Sequence, residues 1–260
     1  MRGLVQIIDP LVLSKVWMTV QQAGLSAAIS GLLGLCVGLC LVPHQRTHGW
    51  LKIPFGVPTL AAVGAWATIL RGTRFEYSLS AVLIAHVVFN VPWVALAVAQ
   101  AGASVPRSWE DAARSLGAGR FERFRAVGWP VIGPAWLGST AQVFAFCASS
   151  FVIVLVLGGG PPVETLETAI YSSVRTGSLE LGRAAVLGAW GCLISVTPWL
   201  LVRRFFATVH LRASVPVSST STPVWAWALA VAWVMPYGAF LIGLSPAEFR
   251  PEFWRTLAGP

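Results

Sequence analysis

LSAVLIAHVVFNVPWVALAVAQ (79–100), AGASVPRSWEDAARSLGAGRFERFRAVGWP (101–130) and VIGPAWLGSTAQVFAFCASSFVIVLVL (131–157) follow one another without a gap. The first and third segments hold no Asp, Glu, Lys or Arg; the middle one holds Arg107, Arg114, Arg120, Arg123 and Arg125 with Glu110, Asp111 and Glu122. A helix that crosses a bilayer needs roughly 20 mainly apolar residues. The stretch therefore reads as membrane helix, aqueous loop, membrane helix. Within the loop, Ser108 is expected to cap a short helix. Glu110 and Asp111 then fall in its first turn, where the helix dipole favours negative charge. Ala112 and Ala113 continue the helix, and Gly117 can end it in the left-handed conformation. A second short helix over 119–127, alternating Arg with Phe, is expected to stop before Pro130, where the chain returns to the membrane. Such a pair of helices is either an amphipathic surface resting on anionic lipid or a docking knob for a soluble partner.

The rest of the chain agrees with a membrane setting. Of 260 residues, 56% are hydrophobic and 11% charged, against roughly a quarter charged in soluble domains. This excludes a soluble enzyme, a disordered chain and a charged coiled coil. Six uncharged apolar segments are candidate spans: 20–42, 53–70, 79–100, 131–157, 184–202 and 223–244. The connections 43–52, 101–130 and 203–222 alternate to one side and carry +7, including Arg46, Lys52, Arg203, Arg204 and Arg212; the remainder carries +1. Cytoplasmic loops are the positive ones, so these three face the cytoplasm and both chain ends face outward. The net charge of +8 thus has a topological meaning, and no nucleic-acid partner is expected. Residues 1–17 form no full span and show no signal-peptide pattern, so either the start is unusual or a preceding helix is missing.

Gly34 and Gly38 form a GxxxG pair that permits close helix contact. Pro54 and Pro58 are expected to loosen the start of the second span, Pro92 to interrupt the third and Pro198 the fifth; such breaks are tolerated where neighbours or a cavity satisfy the backbone. Cys36, Cys40, Cys147 and Cys192 lie in apolar runs and read as small hydrophobes, with neither disulfide nor zinc implied. His86 and Asn90 share one helix face, and Gln142, Ser149 and Ser150 sit in the fourth span. Intramembrane polar groups face the bundle interior, as interhelical hydrogen bonds or as part of a solute path. His44 and His48 lack a third ligand for a metal. The external segment 158–183 opens with glycines and prolines and continues as an amphipathic helix with Glu164, Glu167 and Glu180. Ion-coupled carriers place ionisable groups near the midplane, and no carboxylate or lysine lies in any of the candidate spans. An intramembrane serine protease using His86 lacks a GxSxG elbow. The two lysines, Lys15 and Lys52, lie in no GxxxxGK[ST] loop, so ATP hydrolysis would belong to a partner. No catalytic residue, cofactor or metal is expected.

The loop resembles the EAA motif of bacterial ABC importer permeases: Glu-Ala-Ala, three residues, Gly, nine residues, Ile, one residue, Leu-Pro. Here it is Asp111-Ala112-Ala113, Gly117, Val127, Trp129-Pro130, with Glu110 just before. The resemblance implies an all-α integral membrane protein of about six transmembrane helices, a type I ABC importer permease-like bundle with a cytoplasmic coupling helix. It implies that Glu110, Asp111, Ala112, Ala113, Gly117 and Pro130 belong to the surface that meets a dimeric cytoplasmic ATPase. A periplasmic binding protein outside, a second permease half and the bacterial inner membrane are the other implied partners. The run 83–92 looks like the helix preceding this loop in thiamine and ferric iron permeases. Phe146–Phe151, Gly158–Pro161 and Glu164–Tyr171 are more similar to the thiamine type. Those permeases are fused chains of two halves, each with its own EAA loop. On that comparison 1–206 is one permease domain, with the loop at 108–130, 207–222 is a cytoplasmic linker, and 223–260 resembles the start of a second half whose EAA loop is absent. The chain is then a split, truncated or self-pairing permease. Thiamine or its phosphates is the first expected solute and ferric iron the second.

Overall fold

The computed structural model describes residues 9–44, 58–161, 163–175 and 180–206, with 49, 51–52 and 56 between the first two stretches. All the regular secondary-structure elements among the described residues are helices. In chain order they are α1 (Pro10–Leu41), α2 (Thr59–Leu70), α3 (Leu79–Ala103), α4 (Arg107–Ser115) and α5 (Arg120–Arg123). A π-helical turn (Phe124–Gly128) then leads into α6 (Trp129–Ala148), followed by α7 (Val152–Gly158), α8 (Leu166–Arg175) and α9 (Leu181–Phe206). Four helical stretches are long and apolar enough to cross a membrane: Pro10–Leu41, Leu79–Ala103, Arg120–Ala148 and Leu181–Val202.

The first helix starts ten residues before its expected boundary, inside the segment read as non-spanning. Pro10 occupies the first helical turn, where its missing N–H is no loss, and the Asp9 carboxylate accepts the Leu11 N–H at 2.9 Å. Lys15, the charge that interrupted the apolar run, is paired with Glu164. Of the second segment, 53–70, Pro54 and residues 53, 55 and 57 lie outside the described residues; the structure describes α2, with 12 residues or about 18 Å of helix. Pro58 sits at its N-cap with extended ψ. The third expectation is met at both ends, with Ser78 Oγ accepting the Ala81 N–H, but Pro92 does not interrupt α3, which runs straight through it. Pro198 likewise lies inside α9. The fourth segment, 131–157, is not one helix. α6 ends at Ala148 and α7 begins at Val152. At the break the Ser149 hydroxyl donates to Ala145 O and the Ser150 N–H to Cys147 O, the local competition for carbonyls by which serines end helices. The sixth segment, 223–244, lies outside the described residues, as do the 207–222 linker and the 223–260 tail.

The core is built on α1. Its most extensive neighbour is α3, followed by α6. Gly34 and Gly38 face α3 so closely that an added Cβ would lie 2.5 Å from Val94 Cβ and 2.6 Å from Val98 Cβ. Ala23, Ala27, Val94, Val98, Val143 and Cys147 fill the three-helix seam. At the end of α3 away from Ala103, α2 and α7 pack on it around Val63, Val82, Ala85 and Val154. The two short apolar helices thus cover one end of a single long one. α9 lies against α6 and α8, with Leu187, Leu166 and Val12 sealing the external corner.

The glycine contact generates a test. Gly34→Leu forces a side chain into the α3 backbone and is expected to cost about 1–3 kcal/mol, read as a lowered unfolding midpoint in detergent. Gly24→Ala, at a position with nothing within 4 Å, should leave the midpoint unchanged or raise it. Equal midpoints for Gly34→Leu and wild type would show that the α1–α3 contact is looser than described.

Candidate functional site

α4 and α5 form a compact hairpin between the ends of α3 and α6. No residue of α4 is buried. The helix begins at Arg107 after Pro106, so Ser108 lies in the first turn and is not the cap. The reason is Pro106, whose fixed φ and extended ψ already set the chain entering the helix. At the other end Gly117 has φ +80. Its N–H donates to Arg114 O and the Ala118 N–H donates to Ala113 O, the paired bonds of a Schellman stop. A residue with a Cβ would be strained there. The Glu122 carboxylate accepts the Gly119 N–H at 2.8 Å, and the Arg123 guanidinium donates to Ala118 O at 2.7 Å. These two bonds fold α5 back on the turn. Glu110, Asp111, Ala112 and Gly117 are exposed and Ala113 half-buried. Trp109, Leu116 and Phe121 stand out into solvent beside them, Leu116 at 88% exposure.

The second short helix does not stop before Pro130. It widens into the π turn and continues into α6. The Trp129 N–H donates to Phe124 O, a bond that skips the usual α-helical acceptor just where Pro130 removes a donor. Pro130 falls in the first turn of α6, exposed.

The intramembrane polar residues separate into two groups. His86 and Asn90 are sealed inside the α1–α3–α6 seam, His86 at 1% exposure. His86 Nδ1 lies 3.2 Å from Ser26 Oγ. Asn90 Nδ2 donates to His86 O at 2.7 Å and reaches Cys147 Sγ at 3.5 Å. Gln22 Nε2 donates to Cys147 O at 2.6 Å. Gln22, Ser26 and Ser30 were not singled out from the sequence, although their spacing of four along α1 marks one helix face. Gln22 Oε1, Ser30 Oγ and His86 Nε2 have no hydrogen-bond partner among the described residues. Ser26 and His86 form a serine–histidine pair, but both are buried in the seam and no acidic orienting group meets them among the described residues, as in an interhelical packing contact. Gln142 and Ser149, by contrast, are exposed and Ser150 half-buried. Gln142 opens, with Trp93, Gln100, Ser139 and Val202, into a cavity of about 450 Å³ between α3, α6 and α9. Ser149 and Ser150 are not in that lining. Of the two expected histidines, His48 lies outside the described residues. No cluster of three metal-ligating side chains occurs among the described residues.

Residues 45–215 match the family of binding-protein-dependent transport system inner membrane components. The chain belongs to that family. It is a multi-pass component of the inner membrane. The thiamine transport system permease protein of Brucella suis is 43% identical over 178 residues, 60% of this chain and 33% of its own length. A probable sulfate transport system permease protein of Chlorella vulgaris is 25% identical over 76% of this chain and 80% of its own length. The structure of the MetNI methionine ABC transporter in an inward facing conformation matches with a TM-score of 0.58 at 20% identity, over 76% of this chain and 98% of that one; this likeness concerns the fold. The chain spans about a third of the length of the thiamine permease relatives it matches.

At the end of the bundle away from the hairpin, α8 is tied to α1. Thr19 Oγ1 accepts the Leu166 N–H at 2.9 Å, and Glu164 pairs with Lys15. Glu167, half-buried on α8, has its carboxyl pushed above the ordinary glutamate value by burial. The native state then keeps a proton that the unfolded chain has released, so stability falls as pH rises from the unfolded pKa through the raised native one. Glu167→Gln is expected to raise the unfolding midpoint at neutral pH and to match wild type below the usual glutamate range. A midpoint difference that does not shrink on acidification would assign the effect to something other than this carboxyl.

Proposed function

We propose that this chain is a transmembrane permease subunit of an ATP-driven ABC importer, coupled through the α4–α5 hairpin to a separate ATPase. The observation that carries the reading is the hairpin itself. Its Asp111-Ala112-Ala113 and Gly117 lie on an exposed helix that ends in a stiff glycine stop, set between two spanning helices at the positively charged connection. Small side chains at 112 and 113 admit close approach, and exposed Trp109, Leu116 and Phe121 supply apolar area that a protein groove would cover. A loaded periplasmic binding protein outside and ATP-driven closure inside would bias one inward/outward equilibrium, as linkage requires. Two permease halves meet two ATPase subunits in such an arrangement, and this chain supplies one half. The second is a separate chain, a second copy, or sequence beyond this one, of which 223–260 would be the start.

Purification from native membranes in mild detergent tests the partners. Recovery of a P-loop ATPase, with a second permease half, is expected; the chain emerging alone would overturn the reading. Gly117→Pro cannot hold φ near +80, and Ala113→Arg puts a long charged side chain on the docking face. Both variants should insert normally yet lose the ATPase on purification and abolish uptake. Normal uptake by either would remove the hairpin from the mechanism.

The solute we propose is thiamine or one of its phosphates, supported by the thiamine permease relatives; the sulfate and methionine systems among the similar proteins make alternative solutes the direct comparison, with ferric iron as a further one. The path we propose runs along the α3–α6–α9 cavity, because exposed carboxamides at membrane depth are stable facing water or a partner and unfavourable facing lipid. Labelling Gln142→Cys with a membrane-impermeant thiol reagent, in a background lacking the native cysteines, is expected to succeed in the assembled transporter and to block uptake. Protection of the thiol would place Gln142 in a dry interface instead.

A further inference from the structure

The hairpin is joined to the bundle through a run of aromatic rings in tilted contact. The Phe124 and Trp129 centroids are 6.0 Å apart and those of Trp129 and Trp136 5.9 Å apart, both within the range of favourable aromatic pairs. A straight α-helix would set Phe124 and Trp129 on different faces. The wider π turn, closed by the Trp129 N–H on Phe124 O, brings them together. Residues seven apart share a face, so Trp136 continues the line. Two glycines leave room for the rings: an added Cβ at Gly128 would lie 3.3 Å from the Phe124 ring, and one at Gly133 3.2 Å from the Trp129 ring. The run ends on α1, where Trp136 Nε1 donates to Gly31 O at 2.9 Å. In an apolar seam that N–H has no water to replace its partner, so the bond fixes α6 to α1 at one point. Trp136 lines neither the exposed face of the hairpin nor the α3–α6–α9 cavity.

We propose that Phe124, Trp129 and Trp136 act as a rigid link that carries displacement of the α4–α5 hairpin into α1, with Trp136 as the positioning residue at its inner end. The inference rests on the coupling role proposed for the hairpin. It adds a route. Motion that enters at the loop is delivered to α1 through aromatic side-chain contacts and one hydrogen bond, alongside the covalent path through α6. Because α1 also carries the external contacts to Glu164 and Leu166, the link would join the two faces of the membrane by way of one helix.

Trp136→Phe keeps the ring and removes the N–H. In liposomes holding the whole transporter, with its ATPase and binding protein, the variant is expected to keep ATP hydrolysis stimulated by the loaded binding protein. Uptake per ATP hydrolysed should fall by at least about fivefold, the low end of site-to-site coupling. Wild-type uptake per ATP would overturn the proposal. A second measurement does not depend on that variant folding. Spin labels are placed on Leu116→Cys with either Leu32→Cys or Leu193→Cys, all at exposed positions, in a chain whose four native cysteines are replaced. Nucleotide is expected to change the 116–193 distance and leave the 116–32 distance constant. If both distances change, the hairpin moves without α1 and the link alone fails. If neither changes, nucleotide does not act at the hairpin, and the coupling role fails together with the link.

Discussion

The approach of α1 to α3 is the contact on which the rest of the bundle depends. In a bilayer, lipid tails are as apolar as leucine, so helices are held by close packing and hydrogen bonds, with little hydrophobic drive between them. Gly34 and Gly38 allow the two backbones to meet across Val94 and Val98. That closeness then makes the polar seam possible, since Ser26 reaches His86 and Gln22 reaches the Cys147 carbonyl only across short gaps. α6 closes the third side. The short helices α2 and α7 and the external α8 are fitted onto this three-helix frame, as satellites of it.

The hairpin at the other end follows a different physics. Nothing in α4 is buried, so the hairpin's shape is held by local hydrogen bonds: the Schellman pair at Gly117, the Glu122 carboxylate on the Gly119 N–H and the Arg123 guanidinium on the Ala118 carbonyl. A helix stabilised in this way keeps its form without a core beneath it, which suits a surface that must remain available. The junction with α6 is made by the π turn, where Pro130 withdraws one donor and the ladder shifts by one residue to accommodate it.

Much of this architecture was legible in the sequence, and the exceptions have physical causes. Charge-free runs located the long helices, because burying charge in lipid is costly. Gly117 and the Gly34–Gly38 pair announced their roles by residue type. Apolar composition overstated α6, since it does not register that Ser149 and Ser150 can end a helix. It understated α1, where Lys15 looked like a boundary until Glu164 was seen to pair with it. Pro92 and Pro198 promised interruptions that neighbouring helices absorb. Within the candidate site, no pattern separated Gln142, which opens on the cavity, from His86 and Asn90, which are buried. One side of a helix faces a cavity and the other a seam, and only the packing tells which is which.

α1 is 32 residues long, about 48 Å of helix, whereas the hydrocarbon core it crosses is roughly 30 Å thick. It must therefore tilt, or stand well clear of the lipid at an end. Its outer end is the one bound to α8, and its inner half carries the Gly31 carbonyl that receives Trp136. Membrane thickness thereby becomes a structural variable of this protein. In a thinner bilayer α1 would lean further and swing the hairpin beneath it, so lipid chain length would set the angle at which the chain meets whatever waits on the cytoplasmic side.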